Sequence, residues 1–169
     1  MSLSRTIPEA RASSSSRSGS QPCQARIWGK STQLGYGLGI IMGAKLAEPE
    51  KLCINIMGDA AIGMTGMDIE TAARNRIAIL TIVLNNGVMG AERDVLKISD
   101  EKYGAMTVGG NYTKVAEGLN VAAMRIEKPG DIFPAIKQAL DVTQSGAPFL
   151  LDVMVKEGHD FSRYELDGL

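Results

Sequence analysis

Two short polar clusters interrupt apolar runs of the chain where oxygen ligands could gather. Residues 51–57, KLCINIM, give way to Gly58-Asp59-Ala60-Ala61, and residues 77–84, IAILTIVL, give way to Asn85-Asn86-Gly87. The second run is continuous and rich in β-branched residues, as a strand covered on both faces requires. In open parallel sheets, ligands bind at the carboxyl ends of strands. If the two strands are neighbours, Asp59 and Asn86 emerge at the same edge. One supplies a carboxylate oxygen and the other an amide oxygen. Hard oxygen donors of this kind suit Mg²⁺, which keeps near-octahedral geometry and usually shares a phosphate. A helix opening after Gly58 aims its free N–H groups at the same place. Metal, helix N-terminus and small residues together describe a diphosphate site.

The elements that must position these residues follow from periodicity. Residues 35–47, GYGLGIIMGAKLA, predict a helix buried on most sides, entered through a glycine-rich turn and stopped at Glu48-Pro49. Residues 64–76 predict a helix with Met64, Met67, Ile69, Ala72 and Ala73 near helical spacing. The stretch 91–111 is polar and carries no assigned element. Residues 112–119 predict a helix, 121–126 a strand, and 149–155, FLLDVMV, the closing strand. Asp131 is placed to cap a helix running to about Gln144, with Pro134 in its first turn where a missing N–H is harmless. Strands alternate with helices throughout. The expected fold is therefore α/β: a mostly parallel open sheet with helices on both faces.

A chain of 169 residues suits one domain, and 44% hydrophobic residues suffice for a core. Aromatics are only 5%, so that core is aliphatic and methionine-rich. A net charge of -1 offers no electrostatic footprint for nucleic acid or an acidic membrane. No apolar stretch approaches roughly 18 residues, so no membrane span is expected. The two cysteines, Cys23 and Cys53, lie in unlike surroundings and suggest no disulfide framework. A reducing compartment such as the cytoplasm is the expectation. Residues 1–26 are rich in Ser and Arg with no apolar period, and residues 27–169 form the expected domain. That arm has some transit-peptide composition; a disordered arm or a truncation junction is the plainer reading.

Each signal has a bland alternative. A lone Gly-Asp or Asn-Asn is common, and Asn-Asn-Gly is also a plain turn. Gly35, Gly37, Gly39 and Gly43 do not space as a dinucleotide fingerprint, and no clear strand precedes them. They fit close helix packing as well. His159, the only histidine, sits in a polar tail and reads as a surface residue. Asp68 and Glu70 read as one packing-edge acid and one solvated acid. Arg74, Arg76, Arg93 and Lys97 are candidates for contact with partners, but single charges on helices read more simply as solvated. Met64, Met67, Met89 and Met106 read as gap fillers, with Met89 also able to line a substrate side.

Taken jointly, the Gly-Asp pair and the Asn-Asn pair resemble the signature of thiamine-diphosphate enzymes. Asn86 follows Asp59 by 27 positions, which matches that family's separation. The resemblance implies that Asp59, Asn86 and the backbone carbonyl of Val88 hold Mg²⁺. The run STQLGYGLGIIMGAKLAEPEK, residues 31–51, is similar to the acetolactate synthase pattern. By that likeness Thr32 supplies a carbonyl to the cofactor's 4′-amino group. Leu34, just past Gln33, is the apolar wedge that bends the cofactor. Gly58, Ala60, Ala61 and Met89 complete the expected cofactor-binding set. NYTKVAEGLN and FLLDVMV resemble the family's last helix and strands, so the likeness spans about residues 28 to 156. Ala60 stands where the family commonly has a third glycine, a change the acetolactate synthase group tolerates.

The resemblance implies decarboxylation of a 2-oxo acid substrate and transfer of the remaining unit to an acceptor, with the cofactor as electron sink. A 2-oxo acid decarboxylase and a non-catalytic truncated domain are the alternatives. The family's activating glutamate belongs to a pyrimidine-binding domain, and no catalytic residue is assigned within this chain. The chain alone is therefore expected to be inactive and to lack the domain's first strand. A partner pyrimidine-binding domain or subunit, in a homo- or hetero-oligomer, is expected to cover a face bearing Ile62, Met64, Val88 and Met89.

Overall fold

The two apolar runs before the polar clusters form neighbouring parallel strands. In the computed structural model, which describes residues 33–93 and 95–158, β1 spans Cys53–Gly58 and β2 spans Ile79–Asn85. β3 (Ala122–Ile126) and β4 (Phe149–Met154) complete one sheet of order β1-β2-β4-β3. All pairings are parallel. Among the described residues six helices connect and cover the strands: α1 (Gly37–Ala47), α2 (Asp59–Thr65), α3 (Ile69–Arg74), α4 (Lys97–Tyr103), α5 (Tyr112–Gly118) and α6 (Ile132–Gln144). The fold is α/β with an open parallel sheet and helices on both faces, as the alternation of elements predicts.

Alternation along the strands sorts the core into two layers. One face carries Cys53, Met57, Ile79, Val83 and Leu150, packed on Leu38 and Ile41 of α1, Ile62 of α2, Ile69 and Ala72 of α3, and Ala116 of α5. The other carries Leu80, Ile126, Phe149 and Leu151, packed on Ala135 and Ala139 of α6. Leu38, Ile79 and Leu151 are fully buried. Each such side chain contributes about 1.5–3 kcal/mol relative to leaving it in water. Ile56 and Leu84, on the α6 face beyond that helix, are exposed.

Several expectations need correction. The helix expected over residues 64–76 starts earlier, at Asp59, and is broken by a 3-10 turn at Gly66–Asp68. Gly63 and Gly66 within it weaken the helix, and the break turns Met64 and Met67 outward: they are exposed by 59% and 68% instead of filling the core. Met106, in contrast, is buried, as expected. Ile62, expected on an exposed face, is buried in the core. The stretch 91–111 contains α4, closed by Gly104 in the left-handed conformation. Asp131 stands at the start of α6 but makes no side-chain cap. A 3-10 turn at Pro129–Asp131 leads into the helix and gives Asp131 helical dihedrals, whereas a capping residue needs extended ones. Asp68 is exposed, and Glu70 pairs with Arg74 at 3.0 Å. Arg93 pairs with Glu157 while its side chain stays 45% exposed. Residues 1–26, Cys23 and His159 lie outside the described residues.

Among the described residues one buried side-chain atom lacks a hydrogen-bond partner, Oγ1 of Thr81 in the middle of β2. An unpaired buried hydroxyl costs free energy that a methyl group of the same shape does not. Thr81→Val should therefore stabilise the chain by about 1 kcal/mol in urea unfolding. A loss of stability would show that the hydroxyl is satisfied in solution.

Candidate functional site

The register of β1 on β2 pairs Gly58 with Leu84, so both strands leave the sheet at nearly the same height. Gly58 is extended (φ −81°, ψ 168°) and precedes α2 without a side-chain cap. Asp59 becomes the first residue of that helix and is only 3% exposed. Its Oδ1 accepts the N–H of Ala60 at 2.8 Å. Its Oδ2 accepts the N–H groups of Asn86 at 3.1 Å and Gly87 at 2.6 Å. A buried carboxylate without donors would be costly. Here three amides hold it, and bonds to a charged acceptor are worth about 1.5–3 kcal/mol each. Gly87 has φ +77°, the left-handed conformation in a segment whose consecutive amides converge on one oxygen.

The loop after β2 is fastened at both ends. Asn86 turns its Oδ1 back to accept the N–H of Val88 at 3.1 Å, an Asx turn. Val88 bridges Thr107 in antiparallel fashion. The N–H of Met89 donates to Met106, and that of Val108 donates to Gly87. From below, the Tyr112 hydroxyl donates to the Asp59 carbonyl at 3.1 Å. The Tyr112 pKa is raised, first by burial and then by the negative charges of Asp59 and Asp152, which keeps the phenol a neutral donor. Asn85 is buried and donates its amide to Asp152 Oδ1 at 2.9 Å.

On the far side, Leu34 sits in the turn before α1. Gly35 adopts φ +91°, and a Cβ there would fall 2.5 Å from Thr65 Cγ2. Thr65 also donates its hydroxyl to the Gly35 carbonyl at 2.9 Å. Only glycine allows this approach, and it pins the Leu34 turn to the end of α2.

These elements enclose a cleft of about 330 Å³ at the carboxyl end of the sheet. Leu34, Gly58, Asp59, Ala60, Ala61, Asn86, Val88 and Met89 line it. The structure thus brings together eight of the residues singled out from sequence. Gln33 is exposed and does not line the cleft. Thr32 lies outside the described residues. Leu84 and Val155 also line it, as the strand-end rule could have indicated, since they sit at the ends of β2 and β4. Gly90 and Glu92 line it too, without a signal in sequence pattern. Tyr112 and Asp152 brace the site, yet their sequence context marks them only as members of a helix and an apolar strand.

The oxygen set fits a hard cation shared with phosphate. A carboxylate has about four lone-pair positions; three of Asp59's are taken by amides, and one on Oδ1 remains. Asn86 Oδ1 accepts one N–H and retains a second position. Among the described residues no group of three or more His, Cys, Asp or Glu side chains could hold a metal. A cation here would therefore need further oxygens from a ligand, as Mg²⁺ commonly takes from phosphate. Also among the described residues, no helix is long and apolar enough to cross a membrane.

Comparison with known proteins agrees with this geometry. The family model "Thiamine pyrophosphate enzyme, C-terminal TPP binding domain" matches residues 13–153. A probable acetolactate synthase of Mycobacterium bovis is 30% identical over 126 residues, covering 72% of this chain and 22% of that protein. The mitochondrial acetolactate synthase of Schizosaccharomyces pombe is 31% identical over 126 residues, covering 73% and 18%. Among solved structures, the thiamine diphosphate-dependent 4-hydroxybenzoylformate decarboxylase of Rhodococcus jostii RHA1 superposes with a TM-score of 0.67 at 31% identity, over 77% of this chain and 24% of that one. The chain spans about a fifth of the length of the curated relatives it matches.

Tyr112 gives the site a measurable pH signature. Its raised pKa means that ionisation is easier in the unfolded chain, where the value is about 10. The stability it contributes is complete below about pH 10 and lost as pH rises above that. Tyr112→Phe should cost about 1 kcal/mol near neutrality, and its gap to the unsubstituted chain should shrink above about pH 10. Urea unfolding across that range checks this; a gap that stays constant would contradict it.

Proposed function

The chain belongs to the thiamine pyrophosphate enzymes, as their C-terminal cofactor-binding domain, and on that premise we propose that its cleft takes the diphosphate end of thiamine diphosphate together with one Mg²⁺. Asp59, Asn86 and the Val88 carbonyl are the proposed metal ligands. One observation carries this reading: Asp59 receives the amides of Asn86 and Gly87, so the two motifs meet around a single carboxylate. The metal is required by charge, because a diphosphate facing Asp59 without it would set anion against anion. Ala61, in the first turn of α2, offers an amide without an intrahelical partner. Leu34 is the proposed wedge on the cofactor, and Thr32 is the residue that the family likeness assigns to the aminopyrimidine.

Bound, the cofactor supplies the electron sink for decarboxylation of a 2-oxo acid. The residues of this chain bind it, orient it and, through Leu34, Leu84, Val88, Met89 and Val155, keep water from one side of the cleft. We assign the whole enzyme to the acetolactate synthase-like group, on the likeness to the two synthases. A decarboxylase is the second reading, favoured by the likeness to the Rhodococcus enzyme. An activating glutamate must come from a pyrimidine-binding domain or subunit. The exposed Ile56, Leu84 and Met64 suit burial against such a partner in a homo- or hetero-oligomer.

Calorimetric titration tests the cleft. Thiamine diphosphate should bind the chain only with Mg²⁺ present. Asp59→Ala should weaken it at least about tenfold, the loss expected for one charged ligand. Equal affinity in all conditions, or equally tight binding of thiamine without phosphate, would overturn the assignment.

A further inference from the structure

β4 carries a carboxylate where its pattern asks for an aliphatic side chain. Phe149, Leu150 and Leu151 are buried core residues, and Asp152 beside them is 0% exposed. Burying a charge is expensive, and a well-packed apolar residue usually serves stability as well or better. The cost must be set against what Asp152 holds. Its Oδ1 accepts the side-chain amide of Asn85 at 2.9 Å, across from β4 to the end of β2. Its Oδ2 accepts from Arg125 of β3 at 3.3 Å, and Arg125 is steadied in turn by Glu127 at 3.2 Å. The backbone carbonyl of Asn85 accepts the N–H of Val155 at 2.9 Å. Asn85 is thus tied by side chain and main chain, and it is the last residue before the loop that meets Asp59.

We propose that Asp152 is a positioning residue for the cofactor loop: its carboxylate fixes Asn85, and through Asn85 sets the backbone from which the amides of Asn86 and Gly87 reach Asp59. What the loop binds rests on the reading above; that Asp152 orders the loop does not. Arg125 offsets the charge without competing for Asn85, because it takes the other oxygen. The arrangement ties β3, β4 and β2 to one point at the carboxyl end of the sheet, where a small shift of the loop would part the amides from Asp59.

Hydrogen exchange of individual amides, read by NMR on the full chain without cofactor, tests this. Asn85→Asp sets two carboxylates face to face. Exchange at Asn86 and Gly87 should quicken at least about tenfold, while Leu38 and Ile41 in α1 are unchanged. Adding Asp152→Asn reverses the pair: residue 152 then donates to residue 85 and still offers an oxygen to Arg125. The double variant should return loop exchange to within about threefold of the original. Unchanged loop exchange in the single variant would overturn the proposal. So would a folded double variant whose loop amides stay unprotected. Should the single variant unfold outright, the double variant decides: folded with protected loop amides supports the assignment, and anything else sinks it. Because no cofactor is present, a chain that bound no thiamine diphosphate would defeat the cleft reading while leaving this result intact.

Discussion

A single carboxylate, that of Asp59, is shared between the helix it begins and the loop that faces it. Its two oxygens take amides from Ala60, Asn86 and Gly87, and its backbone carbonyl takes the Tyr112 hydroxyl. A buried anion cannot be left without donors. Each segment that supplies one is thereby held near it, the start of α2 and the loop after β2, while the separate bond from Tyr112 to the backbone carbonyl holds the start of α5. The side chain proposed to bind the metal is also the one that organises the backbone around it. Ligand geometry and local fold therefore share one cause.

The sheet makes this sharing possible. β1 and β2 are parallel and in register, so both polar segments leave at the same edge. An antiparallel pairing would have sent them to opposite ends. β4 lies beside β2 and brings Asp152 under the same edge, with β3 supplying Arg125 as counter-charge. Polar groups thus gather at the carboxyl end of strands that are mostly apolar, Asn55 and Thr81 excepted. The Leu34 turn reaches the cleft from α1 because Gly35 lies against Thr65 at the end of α2. Four separate stretches of chain meet at one cavity through backbone geometry as much as through side chains.

Much of this is legible in the residues. Parallel strands buried on both faces write themselves as near-continuous apolar runs, and the polar clusters after them mark the site. The spacing of Asp59 and Asn86, together with the strands that flank them, points to the family from the residues alone. What is not legible depends on tertiary contact. Met64 and Met67 have helical spacing with Ile69 and Ala72, yet the break at Gly66 turns them outward. Asp131 is a good capping residue by type, but a preceding turn gives it the wrong dihedrals. Asp152 is hidden inside an apolar strand, where a pattern of hydropathy counts it as an interruption. Tyr112 shows only as a helix residue, because nothing in sequence says that its hydroxyl ends on a carbonyl 53 positions away.

Asp59, Asn86 and Val88 are proposed to share one cation with a diphosphate. Replacing Mg²⁺ by Mn²⁺ tests that arrangement by distance, because the paramagnetic ion broadens NMR signals of nearby nuclei. With thiamine diphosphate and Mn²⁺ together, the amides of residues 58–61 and 86–89 should broaden first. Thiamine with inorganic phosphate should not reproduce the pattern. Broadening centred on exposed acids outside the cleft lining, such as Glu101 or Glu127, with the 58–61 and 86–89 amides unaffected, would contradict this assignment.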